Sequence, residues 1–369
     1  MIRIGVVGLG KMGMSHLSML NVHPDASVDG VCDTSRYLRS TLGKYSGLRT
    51  FARFEAMLDE VELDAVAICT PSFLHAAQVR AALDRGLHVF CEKPLCLDPA
   101  ESLALARLAD ERGLVTQVGY HNRFIGAFQE VKRLLDAGAI GTVTHVLAEA
   151  YGPVVLRTKG ISWRSRRSEG GGCLYDYAAH PLNLLTWYFG APVGVSGTVL
   201  GRVFSAEIDD EVASTIHFPA GLNAQLSANW SDESQRKMTT RITAWGTGGR
   251  IFADRQEVQL YVREDATPPD GYTVGWNVRY TTELSDPVWF YVRGEEYSAQ
   301  LEAFLALLER GSGDDDHGFA SAAVTDAVIA AMVTDAARLP TAVDLQMAPD
   351  ASTRRPRHPS RRSRRQDAR

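Results

Sequence analysis

Three side chains with complementary chemistry stand out in this sequence: Lys93, Asp176 and His180. Lys93 belongs to Cys91-Glu92-Lys93-Pro94, which follows an apolar run from Leu87 to Phe90. The proline fixes the backbone behind the lysine and removes one donor. Its clash with the preceding residue disfavours helical geometry at Lys93. An ammonium is thereby expected on a stiff loop at the carboxyl end of a strand, the ligand edge of an open α/β sheet. Asp176 and His180 are four positions apart, so a helix would bring them to one face. An imidazole there suits removal of an alcohol proton near neutrality, and the ammonium can stabilise charge developing on the same oxygen. Read as metal ligands, Asp176 and His180 lack a convincing third partner. No metal site is expected.

Such groups need a platform, and the first third of the chain predicts one. Gly8-Leu9-Gly10-Lys11-Met12-Gly13 follows an apolar strand and opens a helix. Gly8 permits the turn, Gly10 admits a pyrophosphate, and Gly13 allows close helix–sheet packing. The helix amino terminus, beginning at Lys11 and Met12, offers free N–H groups to phosphate. Asp33 ends the second strand, where its carboxylate can accept ribose hydroxyls and repel a 2′-phosphate. Alternatively it caps the next helix, and the nearby Arg36 would welcome that phosphate. NAD is favoured, with NADP allowed. Thr70, Pro71 and His75 are expected along the crevice after the third major strand, although His75 also fits a helix histidine packed beneath a loop. Glu92 would shape the cofactor-side loop, with Lys93 reaching between nicotinamide and substrate.

Strand candidates at 2–7, 27–32, 65–69, 87–90 and 114–118 alternate with helical patterns at 54–59, 74–84 and 99–112. That spacing argues for βαβ units and a parallel sheet. Beyond residue 124 the texture changes. Helical patterns at 127–137 and 176–189 accompany alternating strands at 143–150, 195–203, 211–218, 222–230, 237–244 and 257–262. These fit a largely antiparallel sheet with one face on helices. Helical periodicity returns at 298–309 and 319–339, flanking an acidic turn at 311–316 that lacks the pattern of a calcium loop.

The composition fits a soluble enzyme: 369 residues, 45% apolar, and five cysteines without paired metal-ligand spacing. No signal peptide is expected, the apolar stretches read as too short or too interrupted to span a bilayer, and a reducing cytoplasm is the expected location. Residues 351–369 hold eight arginines and one aspartate, so the net charge of −5 divides into +7 there and −12 elsewhere. With its prolines and serines this tail reads as a disordered extension in preference to a nucleic-acid-binding arm.

Taken together, the Gly8 loop, Thr70-Pro71 with His75, Glu92-Lys93-Pro94, Gly119-Tyr120 with Arg123-Phe124, and Gly170-Gly171-Gly172 leading to Asp176 and His180 give the chain a specific likeness. Over most of residues 1–340 it resembles the glucose-fructose oxidoreductase / inositol 2-dehydrogenase (Gfo/Idh/MocA) family of NAD(P)-dependent enzymes. The resemblance implies an α/β protein with a Rossmann domain at 1–120. A substrate and oligomerisation domain with an open, largely antiparallel sheet would occupy 121–297, with a helical return at 298–340 and a tail at 341–369. It implies a homodimer or homotetramer, and a catalytic set of Lys93, Asp176 and His180. It also assigns cofactor and substrate contacts to Tyr120, Asn122 and Arg123, although His121-Asn122 departs from the family's commoner basic or small residues. Trp163 and Arg164 would close over a polyhydroxylated ligand. Tyr280 either reaches the pocket or belongs to a sheet-connecting loop.

The expected activity is reversible oxidation of a secondary alcohol on a sugar, cyclitol or sugar derivative. A nucleotide sugar would draw its diphosphate to Arg157, Lys159, Arg164, Arg166 and Arg167, charges that equally suit a solvated loop. Two other readings stand beside it: NAD-dependent glycoside hydrolysis through transient oxidation and elimination, and a nonenzymatic dinucleotide sensor.

Overall fold

The computed structural model describes residues 1–154, 163–311 and 316–338, with Trp163 described by its backbone. The expectations for 312–315, for Arg157 and Lys159, and for the tail from 341 lie outside the described residues.

The first sheet contains β1 (Ile2–Val7), β2 (Ala26–Cys32), β3 (Thr50–Phe51), β4 (Ala65–Ile68), β5 (His88–Cys91) and β6 (Thr116–Val118). All pairings are parallel, in the order β3-β2-β1-β4-β5-β6. Helices α1 (Lys11–Leu20), α2 (Arg36–Ser46), α3 (Phe54–Glu60), α4 (His75–Asp84) and α5 (Pro99–Glu111) make the crossovers. Val66, Ile68, Val89 and Cys91 are buried against helices on one face, and Val6, Ala67 and Phe90 on the other. Strands covered on both faces read as continuous apolar runs, which is why they were visible in sequence. β3 was not, because two residues carry no period.

The second sheet contains β7 (Val143–Tyr151), β8 (Gly194–Gly201), β9 (Glu211–His217), β10 (Asn223–Asn229), β11 (Thr239–Gly246), β12 (Gly249–Ala253), β13 (Glu257–Val262) and β14 (Gly275–Tyr280). Their order is β14-β13-β12-β11-β7-β10-β9-β8, and β7 with β10 is the one parallel pair among the described strands of this sheet. Alternation decides which side is covered. Val146, Ala148, Ile242, Ala244, Val258 and Leu260 are buried under α6 (Gly126–Asp136) and α7 (Ala179–Phe189), while intervening residues face out. Two strands escaped the sequence reading. β12 is short, and β14 follows the proline- and glycine-containing stretch at 268–271, which reads as loop.

After a short helix, α8 (Thr281–Leu284), the chain returns to the first sheet through α9 (Glu295–Arg310). Its Tyr297, Leu301, Phe304 and Leu305 pack with Ile4, Val6, Leu17, Met19 and Phe90. α10 (Phe319–Ala336) then lies against α5, α7 and β8. At 18 residues it is apolar and long enough to cross a membrane by length and composition, contrary to the expectation that the apolar stretches are too short or too interrupted. Here its Ala322, Val328, Ile329 and Met332 are core residues.

One buried carboxyl ties α10 to the lysine-bearing loop. Asp326 Oδ2 accepts the Cys96 N–H at 3.2 Å and the Ser102 hydroxyl at 2.7 Å, while Oδ1 has no hydrogen-bond partner among the described residues. Burial pushes this carboxyl up to about 7, against the pull of its hydrogen bonds. An unfolded aspartate ionises near about 3.9, so the unfolded chain releases this proton first as pH rises. The stability Asp326 contributes is therefore present at low pH and falls between about pH 4 and about pH 7. Asp326→Asn should gain on the wild type in denaturant unfolding as pH rises from about 5 to about 8. A stability difference that does not change with pH would contradict this.

Candidate active site

The glycine loop joins β1 to α1 beneath the carboxyl ends of the strands. Gly8 has φ +85°, and a Cβ there would lie 2.8 Å from the Cys69–Thr70 backbone. A Cβ on Gly13 would collide with the Gly8 carbonyl, whereas one on Gly10 would meet nothing within 4 Å. The loop therefore packs tightly on the protein side and is open where a pyrophosphate would approach the first amides of α1. Lys11 is exposed and Met12 partly exposed in that first turn. Asp33 braces the arrangement: Oδ2 accepts the Leu9 N–H at 2.6 Å, and Oδ1 accepts the Ser35 N–H at 2.7 Å. Capping of α2 falls to the Ser35 hydroxyl and not to Asp33. These residues fit a dinucleotide.

Lys93 extends from the loop after β5, through a cis peptide to Pro94. Its Nζ donates to Asp176 Oδ1 at 2.7 Å and to the Asp176 carbonyl at 2.8 Å. Arg164 Nε donates to Asp176 Oδ2 at 3.2 Å, so the carboxylate lies between two cations. Burial works to raise the Asp176 carboxyl, but Lys93 and Arg164 outweigh it and hold the group at about 2. Asp176 does not share an α-helix with His180, as the four-residue spacing suggested. It sits in a π-helical turn, Leu174–Ala178, that runs directly into α7. Such insertions in a helix are frequent at functional sites. The start of this turn is held by Asp209, whose Oδ2 accepts the Leu174 N–H at 2.7 Å. Gly172, at φ +118°, is required because a Cβ would approach the Asp209 carboxylate to 2.5 Å.

His180 is buried beside this pair. Its Nδ1 has no hydrogen-bond partner among the described residues, and its ring meets Tyr120 at 6.2 Å and His121 at 4.7 Å between centroids. Burial, then the Lys93 and Arg255 charges, push its imidazole well below the ordinary range. A neutral imidazole beside an ammonium is equipped to accept a proton from a hydroxyl held between them.

Several residues expected at the cofactor or substrate are engaged by protein partners. His75 is fully buried, with Nδ1 2.8 Å from the Pro94 carbonyl and Nε2 2.9 Å from the Thr70 carbonyl, so it braces two loops, as expected of a histidine packed beneath a loop. Thr70 and Pro71 are partly exposed at the end of β4, with the Thr70 hydroxyl 2.6 Å from Gln78. Arg123, expected at the substrate wall, is 2% exposed. Its guanidinium donates to the Asn183 side chain at 2.6 Å, to the Asn183 carbonyl and to the Asp316 carbonyl. Asn122 is likewise interior, donating to Thr240 Oγ1 at 3.2 Å. Tyr280 lies on β14 and faces out with Trp276 and Val278, on the sheet side opposite α7, because strand alternation puts it there. Trp163 and Arg164 share a short 3-10 turn before the glycine run. Arg166 is paired with Glu169 at 2.7 Å.

Other residues of the centre escaped sequence reasoning. His16 on α1 is fully buried, and its Nε2 lies 2.7 Å from Glu92 Oε1, linking the phosphate-facing helix to the lysine loop. Its place three positions after Gly13 was a visible signal; its partner 76 residues away was not. His121, Arg255 and Tyr297 also converge here, from three separate segments.

Residues 2–120 match the oxidoreductase family with an NAD-binding Rossmann fold, and residues 128–252 match the Gfo/Idh/MocA C-terminal domain. Inositol 2-dehydrogenase of Rhizobium meliloti is 28% identical over 341 residues, spanning 89% of this chain and 96% of that protein. The 2,7-anhydro-N-acetylneuraminate hydratase of Escherichia coli is 26% identical over 267 residues, 70% of this chain and 68% of that one. Levoglucosan dehydrogenase, solved with NADH and levoglucosan, superposes with a TM-score of 0.78 at 23% identity, covering 91% of this chain and 97% of that chain. The fold and cofactor face define an NAD-binding oxidoreductase. The chain belongs to the Gfo/Idh/MocA family.

The depressed His180 imidazole has a kinetic consequence. It stays neutral, and able to take a proton, below the ordinary histidine value of about 6.5. The acid limb of kcat/KM for alcohol oxidation should therefore lie well below about pH 6.5. A limb at or above that value which His180→Gln abolishes would show that the imidazole is not depressed.

Proposed function

We propose that this enzyme catalyses reversible, NAD-dependent oxidation of a secondary alcohol on a sugar, cyclitol or sugar derivative. The observation that carries the reading is the 2.7 Å Lys93–Asp176 pair, with His180 buried beside it and the glycine loop opening on the same strand edge. Bound NAD supplies the hydride acceptor. His180 takes the hydroxyl proton as the carbon–oxygen bond gains double-bond character, and Lys93 stabilises the oxygen while it carries negative charge. Asp176 fixes the ammonium and offers its carboxylate to a neighbouring hydroxyl. In reduction the same groups run in reverse, with His180 returning the proton. Asp33 favours NAD over NADP, since a 2′-phosphate would meet a carboxylate already fixed by two amides. The similarity to an inositol dehydrogenase directs the first substrates to inositols. Arg164 and Arg166 are engaged by carboxylates, which leaves less for a nucleotide-sugar diphosphate.

The relative named as a hydratase favours one second reading, in which oxidation is transient and the cofactor returns to its starting state. An anaerobic screen of inositols, aldoses, anhydrosugars and nucleotide sugars, run separately with NAD and NADP, separates the two. The dehydrogenase reading expects NADH equal to ketone product, and more reaction with NAD than with NADP. Product without NADH accumulation would support the second reading. Higher efficiency with NADP would overturn the role given to Asp33.

We also propose that the outer face of the second sheet receives a second copy of the chain. His145 stacks on Trp245 at 4.3 Å, the Arg250 guanidinium lies over Trp245 at 5.3 Å and Trp276 at 6.0 Å, and Tyr261 packs on Trp276 at 5.2 Å. This aromatic row crosses five adjacent strands, and Trp276 is 57% exposed. A row of stacked aromatic rings, partly exposed across a sheet and carrying one arginine, suits an association surface. Light scattering should report a dimer or tetramer that Trp276→Glu weakens. A wild-type monomer at micromolar concentration would contradict it.

A further inference from the structure

Two buried imidazoles of the centre, His121 and His180, face each other, and the proposed chemistry uses one. His121 begins the 3-10 turn His121–Phe124, just past the carboxyl end of β6. Its ring stacks on Tyr297 of α9 at 4.6 Å and 22°, with Nε2 3.5 Å from the Tyr297 hydroxyl. Its other neighbour is His180, at 4.7 Å and 65° between ring planes. His121 thus fills the space between a helix that packs on the cofactor-binding sheet and the histidine of the second domain.

Two physical facts give this contact a role. A histidine acting as a base ordinarily has its second nitrogen tied to an acceptor that fixes tautomer and ring orientation. His180 Nδ1 has no such partner among the described residues, so packing must orient the ring. The second fact is charge. His121 and His180 face each other and the Lys93 and Arg255 cations; Arg293 also faces His121 and lies over Tyr297 at 5.3 Å. The nearby carboxylates are engaged elsewhere: Glu92 with His16, Glu296 with Arg255, and Asp176 with Lys93. Tyr120 and Tyr297 complete the titratable surroundings, and burial drives both phenols towards their neutral forms. A proton on either imidazole opposes one on the other.

We propose that His121 is a positioning residue for His180: wedged on Tyr297, its ring holds the His180 imidazole in its reacting orientation. This rests on the reading of His180 as the base. An aromatic ring at position 121 then suffices for orientation, and the ability of His121 to titrate is dispensable at working pH.

The test compares His121→Phe, His121→Ala and His180→Ala in the full-length enzyme with NAD and the best substrate of the screen. Single-turnover NADH formation, KM, NAD binding and the pH profile are measured for each. His121→Ala should slow the single turnover by roughly tenfold or more, with KM and NAD affinity within about threefold of wild type, as expected when a reacting group is misplaced. His121→Phe should restore most of that rate and keep the acid limb, and the limb should vanish in His180→Ala. Wild-type turnover in His121→Ala would overturn the proposal while leaving the base assignment intact. Loss of both rate and acid limb in His121→Phe would also overturn it, by making His121 a base in its own right. If His121→Ala unfolds, His121→Phe still decides through these same two readouts. Wild-type behaviour of His180→Ala would instead overturn the underlying function.

Discussion

The contact on which the site depends is the buried ion pair between Lys93 and Asp176. Lys93 stands just past the end of β5 in the first sheet, and Asp176 in the π-turn leading into α7 beneath the second, so a single 2.7 Å contact joins the two sheets' elements at the candidate site. Both side chains are nearly withdrawn from water, at 11% and 12% exposure. Burying charges this way adds little net stability, but removing one partner strands the other at a cost of about 3–5 kcal/mol. The pair is better understood as a positioning device. Lys93, with Arg164 on the second carboxylate oxygen, keeps Asp176 ionised, and the ionised carboxylate keeps the ammonium in place.

The surroundings serve that pair at one remove. His16 carries a hydrogen bond from the cofactor-facing helix to Glu92, the residue before Lys93. His75 joins Pro94, the residue after it, to the end of β4. Asp209 holds the turn from which Asp176 projects. Helix α9 adds Tyr297 and the neighbouring Arg293 and Glu296 to the same centre, so the chain's return to the first sheet completes the site as well as the core.

What the sequence made legible was local. The strand–glycine loop–helix context and the proline after Lys93 each encode geometry within a few residues. The alternation of the second sheet announced its one covered face. What stayed hidden depended on distant partners. Arg123 reads as a pocket cation until Asn183 and the Asp316 carbonyl consume its donors. Tyr280 reads as an aromatic near a pocket until its strand register turns it outward. The π-turn at Asp176 inserts no breaker residue, so an ordinary helix was the natural expectation there.

The central claim is that Lys93 and His180 act in the chemical step, across the contact made by Asp176. Single-turnover NADH formation in Lys93→Met and His180→Ala, with NAD binding measured alongside, tests it most directly, because steady-state rates can conceal a slowed chemical step behind product release. The account predicts losses of roughly 100-fold or more in each variant with NAD affinity preserved. Near-wild-type single-turnover rates in both folded variants would contradict it.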